Sequence, residues 1–160
     1  MVKKQQTRLL YVVRHADAVA GYDDAIRPLS KKGQKQAADV GAFLKKICVQ
    51  VDAVWHSGLV RARQTAEIIA DRMKTKQTPE AVDEFGPDDN PIKMRKKIEA
   101  FNGDLMVVGH APSFPELIPV LLGLSDRHLI VDLKKAGVVC LETDEAGKWL
   151  IKWCIDSDLL

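Results

Sequence analysis

A chain of 160 residues, 46% apolar and 29% charged, has the size and composition of one globular domain with one core, expected to span residues 1–160. Its 24 basic residues against 22 acidic ones leave a net charge of +2, which argues against nucleic acid as the main partner but allows a locally basic cleft. No apolar stretch approaches the roughly 20 residues of a membrane-spanning helix, the N-terminal apolar run is cut at Arg14 before signal-peptide length, and the widely spaced Cys48, Cys140 and Cys154 form neither a metal pattern nor a disulfide framework. A cytoplasmic protein whose reduced thiols pack as small apolar groups is expected.

"RLLYVV", Arg8 to Val13, is a short apolar run rich in valine and reads as a buried strand. Ser30 then offers an N-cap to a helix with Ala37, Val40, Gly41, Leu44 and Ile47 on one face. "VDAVWHS" reads as a second strand, and "LVRARQTAEIIADRM" as a helix with Leu59, Ala62, Ala66, Ile69 and Met73 spaced three and four apart. A third helix spans Pro91 to Phe101, with proline at a favourable first-turn position. "DLMVVGH", Asp104 to His110, is another buried strand, followed by a helix within Ser113 to Leu122 that Pro119 should kink or shorten. "GVVCLE" and "KWLIKW" flank "TDEAG" as a hairpin, with Trp149, Ile151 and Trp153 alternating onto one face.

Strands alternating with helices imply an α/β fold, a mainly parallel central sheet in a three-layer α/β/α sandwich. The last hairpin adds antiparallel edge strands. Ligands of such folds sit beyond the carboxyl ends of the parallel strands. Here those ends carry Arg14-His15, then His56, Ser57, Arg61 and Arg63, then Gly109-His110. Two histidines and two arginines converging without carboxylates suit a tetrahedral anion, because guanidinium forks match phosphate oxygens and histidine adds a donor or a nucleophile. A metal site fits poorly, since arginine is no ligand and its charge repels a cation.

Four segments in order carry a family resemblance. "VVRHADA", "RPLSKKGQKQA", "HSGLVRARQTAEI" and "VVGHAPS" resemble the Arg-His-Gly signature, the Leu-(Ser/Thr)-x-x-Gly-x-x-Gln-Ala segment, the Ser-x-Leu-x-Arg-Ala-x-Gln-Thr-Ala block and the second-histidine motif of the histidine phosphatase superfamily, whose fold is phosphoglycerate mutase-like. They cover the chain from Leu9 to about Leu122. The short length and the "RHADA" and "RPLS" details most resemble its SixA-type phosphohistidine phosphatase branch, which lacks the large inserted cap of the mutases.

The resemblance implies that His15 is the nucleophile and takes up the phosphoryl group, that Arg14 and Arg61 bind phosphate, and that His110 supports phosphate and the transition state. It implies no metal or organic cofactor. Implied partners are a protein domain carrying phosphohistidine, with a small phosphate ester as the alternative, and a phosphate or sulfate ion in the pocket; no nucleic acid and no membrane are expected. A non-catalytic phosphoryl-binding module is the alternative of another class. With no heptad seam, a monomer is expected. Ala16 replaces the family's usual glycine, so its backbone must avoid conformations that only glycine favours. His56 stands where a serine or threonine is commoner, which puts it at the pocket rim as a substrate contact. Asp17, two residues after the nucleophile, is the first candidate for the general acid and Glu84 the second; a phosphoramidate leaving group needs less help from either. Arg27 reads equally as a rim phosphate contact or a loop residue. Arg63, His128 and the run Lys93 to Lys97 read as solvated surface.

Overall fold

The computed structural model describes residues 6–126 and 128–160. Among them, six strands form one sheet in the order β3-β2-β4-β1-β5-β6. They are β1 (Leu9–Arg14), β2 (Ala53–His56), β3 (Glu80–Ala81), β4 (Leu105–Gly109), β5 (Val138–Thr143) and β6 (Trp149–Ile155). The first four run parallel, and β5 and β6 run antiparallel. The expected α/β sandwich is therefore what the chain adopts. The two-residue β3 was not foreseen: it is too short to show a periodicity, and it pairs only at Trp55 and His56.

Among the described residues, four α-helices cover the sheet: α1 (Lys31–Lys46), α2 (Val60–Met73), α3 (Pro91–Ala100) and α4 (Ser113–Leu121). Their ends follow local chemistry. Ser30 Oγ accepts from the backbone N–H of Gly33 at 3.0 Å and caps α1. Asn90 caps α3 with Pro91 in its first turn. Lys74 closes α2 in the left-handed conformation, at φ 60°. Pro119 does not end α4, which runs two residues beyond it. No helix of the described residues is long and apolar enough to cross a membrane.

Strand alternation divides the core. Tyr11, Val13, Met106, Val108, Val138 and Cys140 face α1 and α2, with Ala37, Val40, Leu44, Ala62, Ala66 and Ile69. Leu10, Val12, Leu105, Val107, Val139 and Leu141 face α3 and α4, with Met94, Ile98, Leu117, Ile118 and Leu121. Ile47, expected on the buried face of α1, lies just past its end and is exposed.

Two expectations are corrected here. Trp149, Ile151 and Trp153 do not share a face. The β5–β6 register shifts between Cys140 and Leu141, which pair with Trp153 and Ile151 and leave Lys152 between them, and such a bulge reverses the alternation. Trp149 joins the core on the α3–α4 side with the Arg8 guanidinium over its ring, whereas Trp153 packs on Tyr11 and Phe43 at the opposite face. Of the three free thiols only Cys140 is buried; Cys48 and Cys154 are exposed. Burial pushes the Cys140 thiol up to about 11.

Candidate active site

The parallel ladder of β1 and β4 aligns Arg14 with Gly109 and extends one step further, where His15 N–H donates to Gly109 O at 2.8 Å. The next residues on the two strands, His15 and His110, thus meet at one edge, with ring centroids 5.1 Å apart and planes inclined by 49°. On the other flank of β4, β2 aligns His56 with Val108. Ser57 follows, and its Oγ lies 2.6 Å from His110 Nε2. Arg61, in the first turn of α2, is buried against this group.

The contacts of His15 fix its tautomer. Nδ1 lies 2.7 Å from the carbonyl oxygen of Ala16, which can only accept, so Nδ1 carries the hydrogen. Arg61 Nε–H donates to Nε2 at 3.3 Å, so Nε2 presents a lone pair. Burial, reinforced by the charges of Arg61, Arg14 and Arg27, pushes the ring down to about 4 against the opposing bond to Ala16. Burial, with His15 and Arg61 nearby, pushes His110 down to about 3. Both rings are neutral at neutral pH.

Three guanidiniums surround the pair. Arg14 Nη1 donates to Leu133 O at 3.0 Å. Arg61 donates through Nη1 to Asp24 O at 2.6 Å and through Nη2 to Asp24 Oδ2 at 3.1 Å. Arg27 Nη2 approaches Asp24 Oδ1 at 3.4 Å. Four buried side-chain nitrogens lack a hydrogen-bond partner among the described residues: Arg14 Nε, Arg27 Nε, His110 Nδ1 and, elsewhere, Trp149 Nε1. Unpaired buried polar groups are rare in native proteins. Three at one site, beside a carboxylate already held by two of its arginines, describe a place built for an oxyanion.

The loops are tied by residues of the quoted segments. Ala16 N–H donates to Thr65 Oγ1 at 3.0 Å, and that hydroxyl donates to Arg61 O at 2.7 Å. Thr65 therefore joins the residue after His15 to the turn that carries Arg61. Gln36 accepts from Asp17 N–H and Gln64 from Leu29 N–H. Gly33 lets α1 approach the chain so closely that any Cβ there would strike the Asp17 carbonyl. Ala16 is fully buried, and it is not among the residues with positive φ, which is how alanine fits where glycine is usual.

The remaining residues singled out from the sequence divide. Arg27 joins the site through Asp24 and through its effect on His15. The Asp17 carboxylate accepts from Ser30 Oγ at 2.6 Å and pairs with Lys135 at 2.6 Å. The bonds from Lys135 and Ser30 hold its carboxyl below the ordinary range, the opposite of what a proton donor needs. Glu84 pairs with Lys93 and Lys97 of α3. His56 is buried, and its Nδ1 accepts from Gly58 N–H at 3.0 Å; its polar contact closes the turn after β2 rather than facing the anion site. Arg63 pairs with Glu67 on the surface of α2, and His128 is exposed beside Asp126. Asp24 and the Ser57–His110 contact were missed. Asp24 sits on a short 3-10 turn, Asp24–Ile26, with no periodic signal, and Ser57 was visible only as a polar residue at a strand end.

The segment from residue 10 to 87 matches the family model described as histidine phosphatase superfamily (branch 1). An uncharacterized protein of Picosynechococcus sp. is 30% identical over 145 residues, covering 86% of each chain. The phosphohistidine phosphatase SixA of Escherichia coli strain K12 is 22% identical over 149 residues, covering 90% of this chain and 91% of that one. A solved structure of the protein histidine phosphatase SixA complexed with tungstate superimposes with a TM-score of 0.86 at 21% identity, covering 94% of this chain and 98% of that chain. The chain belongs to the histidine phosphatase superfamily, and its likeness in fold extends over nearly the whole of SixA.

Proposed function

We propose that this protein is a phosphatase that works through a phosphohistidine intermediate on His15 and that its substrate is phosphohistidine on a signalling protein. The observation that carries the reading is the His15 Nε2 lone pair, held toward Arg61 beside three buried nitrogens, Arg14 Nε, Arg27 Nε and His110 Nδ1, that have no partner among the described residues. Nε2 attacks phosphorus as the bond to the leaving group breaks. Arg14 and His110 stabilise the phosphoryl oxygens, and Arg61 Nε–H passes from Nε2 to one of those oxygens as the lone pair attacks. Water then attacks the phosphorus of phospho-His15, the N–P electron pair returns to Nε2, and inorganic phosphate departs with the protons of the water. The resemblance to SixA, whose solved structure holds the oxyanion tungstate, supports the same assignment.

The carboxylates favour the substrate class. Asp17, Asp24 and Glu84 are all engaged by cations. An alkoxide leaving group needs an acid at the breaking bond. Phosphohistidine does not: once its other ring nitrogen is protonated, the imidazole leaves as a neutral ring. The test is phosphate release from a histidine-phosphorylated carrier protein, with His15→Ala in parallel. Release by the natural chain alone supports the reading. Release only from an aryl phosphate keeps the chemistry and replaces the substrate with a small phosphomonoester. Failure on both leaves a phosphoryl-binding module.

A further inference from the structure

We propose that Ser57 is a positioning residue that sets the tautomer of His110, so that Nδ1–H, the ring's other nitrogen, is the donor His110 gives to the transferring phosphoryl group. The inference rests on the phosphatase reading above and adds a residue to its machinery.

The contact between Ser57 Oγ and His110 Nε2, at 2.6 Å, has two possible polarities. If the ring donates, Nδ1 is a bare lone pair. If the hydroxyl donates, Nδ1 carries the hydrogen. The surroundings of the hydroxyl favour the second. Leu59 N–H points to Ser57 Oγ at 3.3 Å, so the oxygen already accepts there, and its own hydrogen has His110 Nε2 as the acceptor within shortest reach. The hydroxyl then donates, and the neutral ring carries its hydrogen at Nδ1.

The neighbourhood agrees. His110 is fully buried and Nδ1 has no partner among the described residues. Burial pushes the ring far below ordinary histidine, so it does not gain a second hydrogen near neutral pH. With Nε2 engaged by Ser57, Nδ1 is the only nitrogen left for an anion. A lone pair there would repel phosphoryl oxygens, and an N–H would bind one. A hydrogen bond on one ring nitrogen setting what the other presents is a general device of histidine sites. The chain contains it twice: Ala16 O fixes Nδ1–H on His15 so that Nε2 can attack, and Ser57 fixes Nδ1–H on His110 so that Nδ1 can donate.

The direct test is nitrogen NMR of the folded protein labelled at its four histidines, with His110 assigned by its loss in His110→Asn. The expected wild-type signature is a protonated Nδ1 and an unprotonated, hydrogen-bonded Nε2. In Ser57→Ala the signature mixes the two tautomers and kcat on phosphorylated carrier falls about tenfold, near the upper end of what one hydrogen bond carries, with KM nearly unchanged. Ser57→Thr keeps the hydroxyl and restores both signature and rate. A wild-type His110 protonated at Nε2, or a Ser57→Ala protein with unchanged signature and kcat, overturns the proposal. The NMR readout does not depend on turnover. If the natural chain releases no phosphate from any substrate, the phosphatase reading fails while the tautomer assignment is judged separately.

Discussion

His15 and His110 each follow the last aligned pair, Arg14 and Gly109, of two neighbouring parallel strands, and their rings stand 5.1 Å apart, both buried and both neutral. Two imidazolium ions at that distance would repel each other and the arginines beside them. The arrangement therefore favours two neutral rings over charged ones, and that preference gives the site its response to acid.

The sign of that response follows from linkage. Both rings lie below the ordinary value of 6.5, at about 4 for His15 and about 3 for His110. Between those values and 6.5 the unfolded chain binds protons that the folded chain does not, so stability rises with pH across the window and falls as pH drops from about 6.5 to 4. Each histidine contributes up to about 1.4 kcal/mol per pH unit there. Urea unfolding at pH 7.5 and pH 5 should show the loss, and His110→Asn should reduce it. Histidine NMR should find neither ring titrating above pH 5. A midpoint near 6.5 for either would mean a solvated ring.

Arg61 performs three tasks with one guanidinium: Nε donates to His15 Nε2, and the two terminal nitrogens bind Asp24 through its carbonyl and its carboxylate. Lysine keeps the charge but not the fork. Arg61→Lys should therefore lower kcat by about 10²–10³, the scale of losing one preorganised donor at a developing charge, while thermal unfolding shows a folded protein. Retention of more than a tenth of the activity would mean that charge alone is required.

Much of this is legible in the sequence. Arg14-His15, Arg61 and His110 stand at or just after the ends of apolar runs, and a parallel sheet brings such ends together. What was hidden depends on register and on loops. The bulge at Lys152 sends Trp149 and Trp153 to opposite faces, and no local pattern announces an unpaired residue. Asp24 meets Arg61 across 37 positions of sequence from a turn without periodicity. Ser57 gains its meaning only once β2 lies beside β4 in the observed alignment.

Gly33 tests whether the loop after His15 is held as tightly as its contacts suggest. Near the start of an exposed helix, glycine to alanine ordinarily stabilises by up to about 1 kcal/mol. Here the new Cβ meets the Asp17 carbonyl, which also receives Ser30 N–H at 3.0 Å. Backbone cannot swing aside as a side chain does. Gly33→Ala should destabilise by about 1–3 kcal/mol and slow turnover, because the displaced residue is two positions from His15. Urea unfolding checks the sign, and a stabilised variant would show that the close approach is not a constraint.

The role of Asp17 separates two accounts of the leaving group. Its carboxylate is held by Lys135 and Ser30, which favour the ionised form. If it nonetheless served as the general acid, Asp17→Asn would cost about 10²–10⁴ in kcat. If the substrate's own ring provides the proton, the same change removes only a partly exposed ion pair, contributing about 0–1 kcal/mol, and leaves the rate on phosphohistidine within about threefold, a spread that a modest rearrangement of the loop accounts for. Glu84→Gln should behave likewise, because its partners are Lys93 and Lys97. Measuring both variants on phosphorylated carrier and on an aryl phosphate distinguishes the accounts: equal rates on the carrier place the proton on the substrate, and a selective loss on the aryl ester in one variant identifies that carboxyl as the acid for oxygen leaving groups.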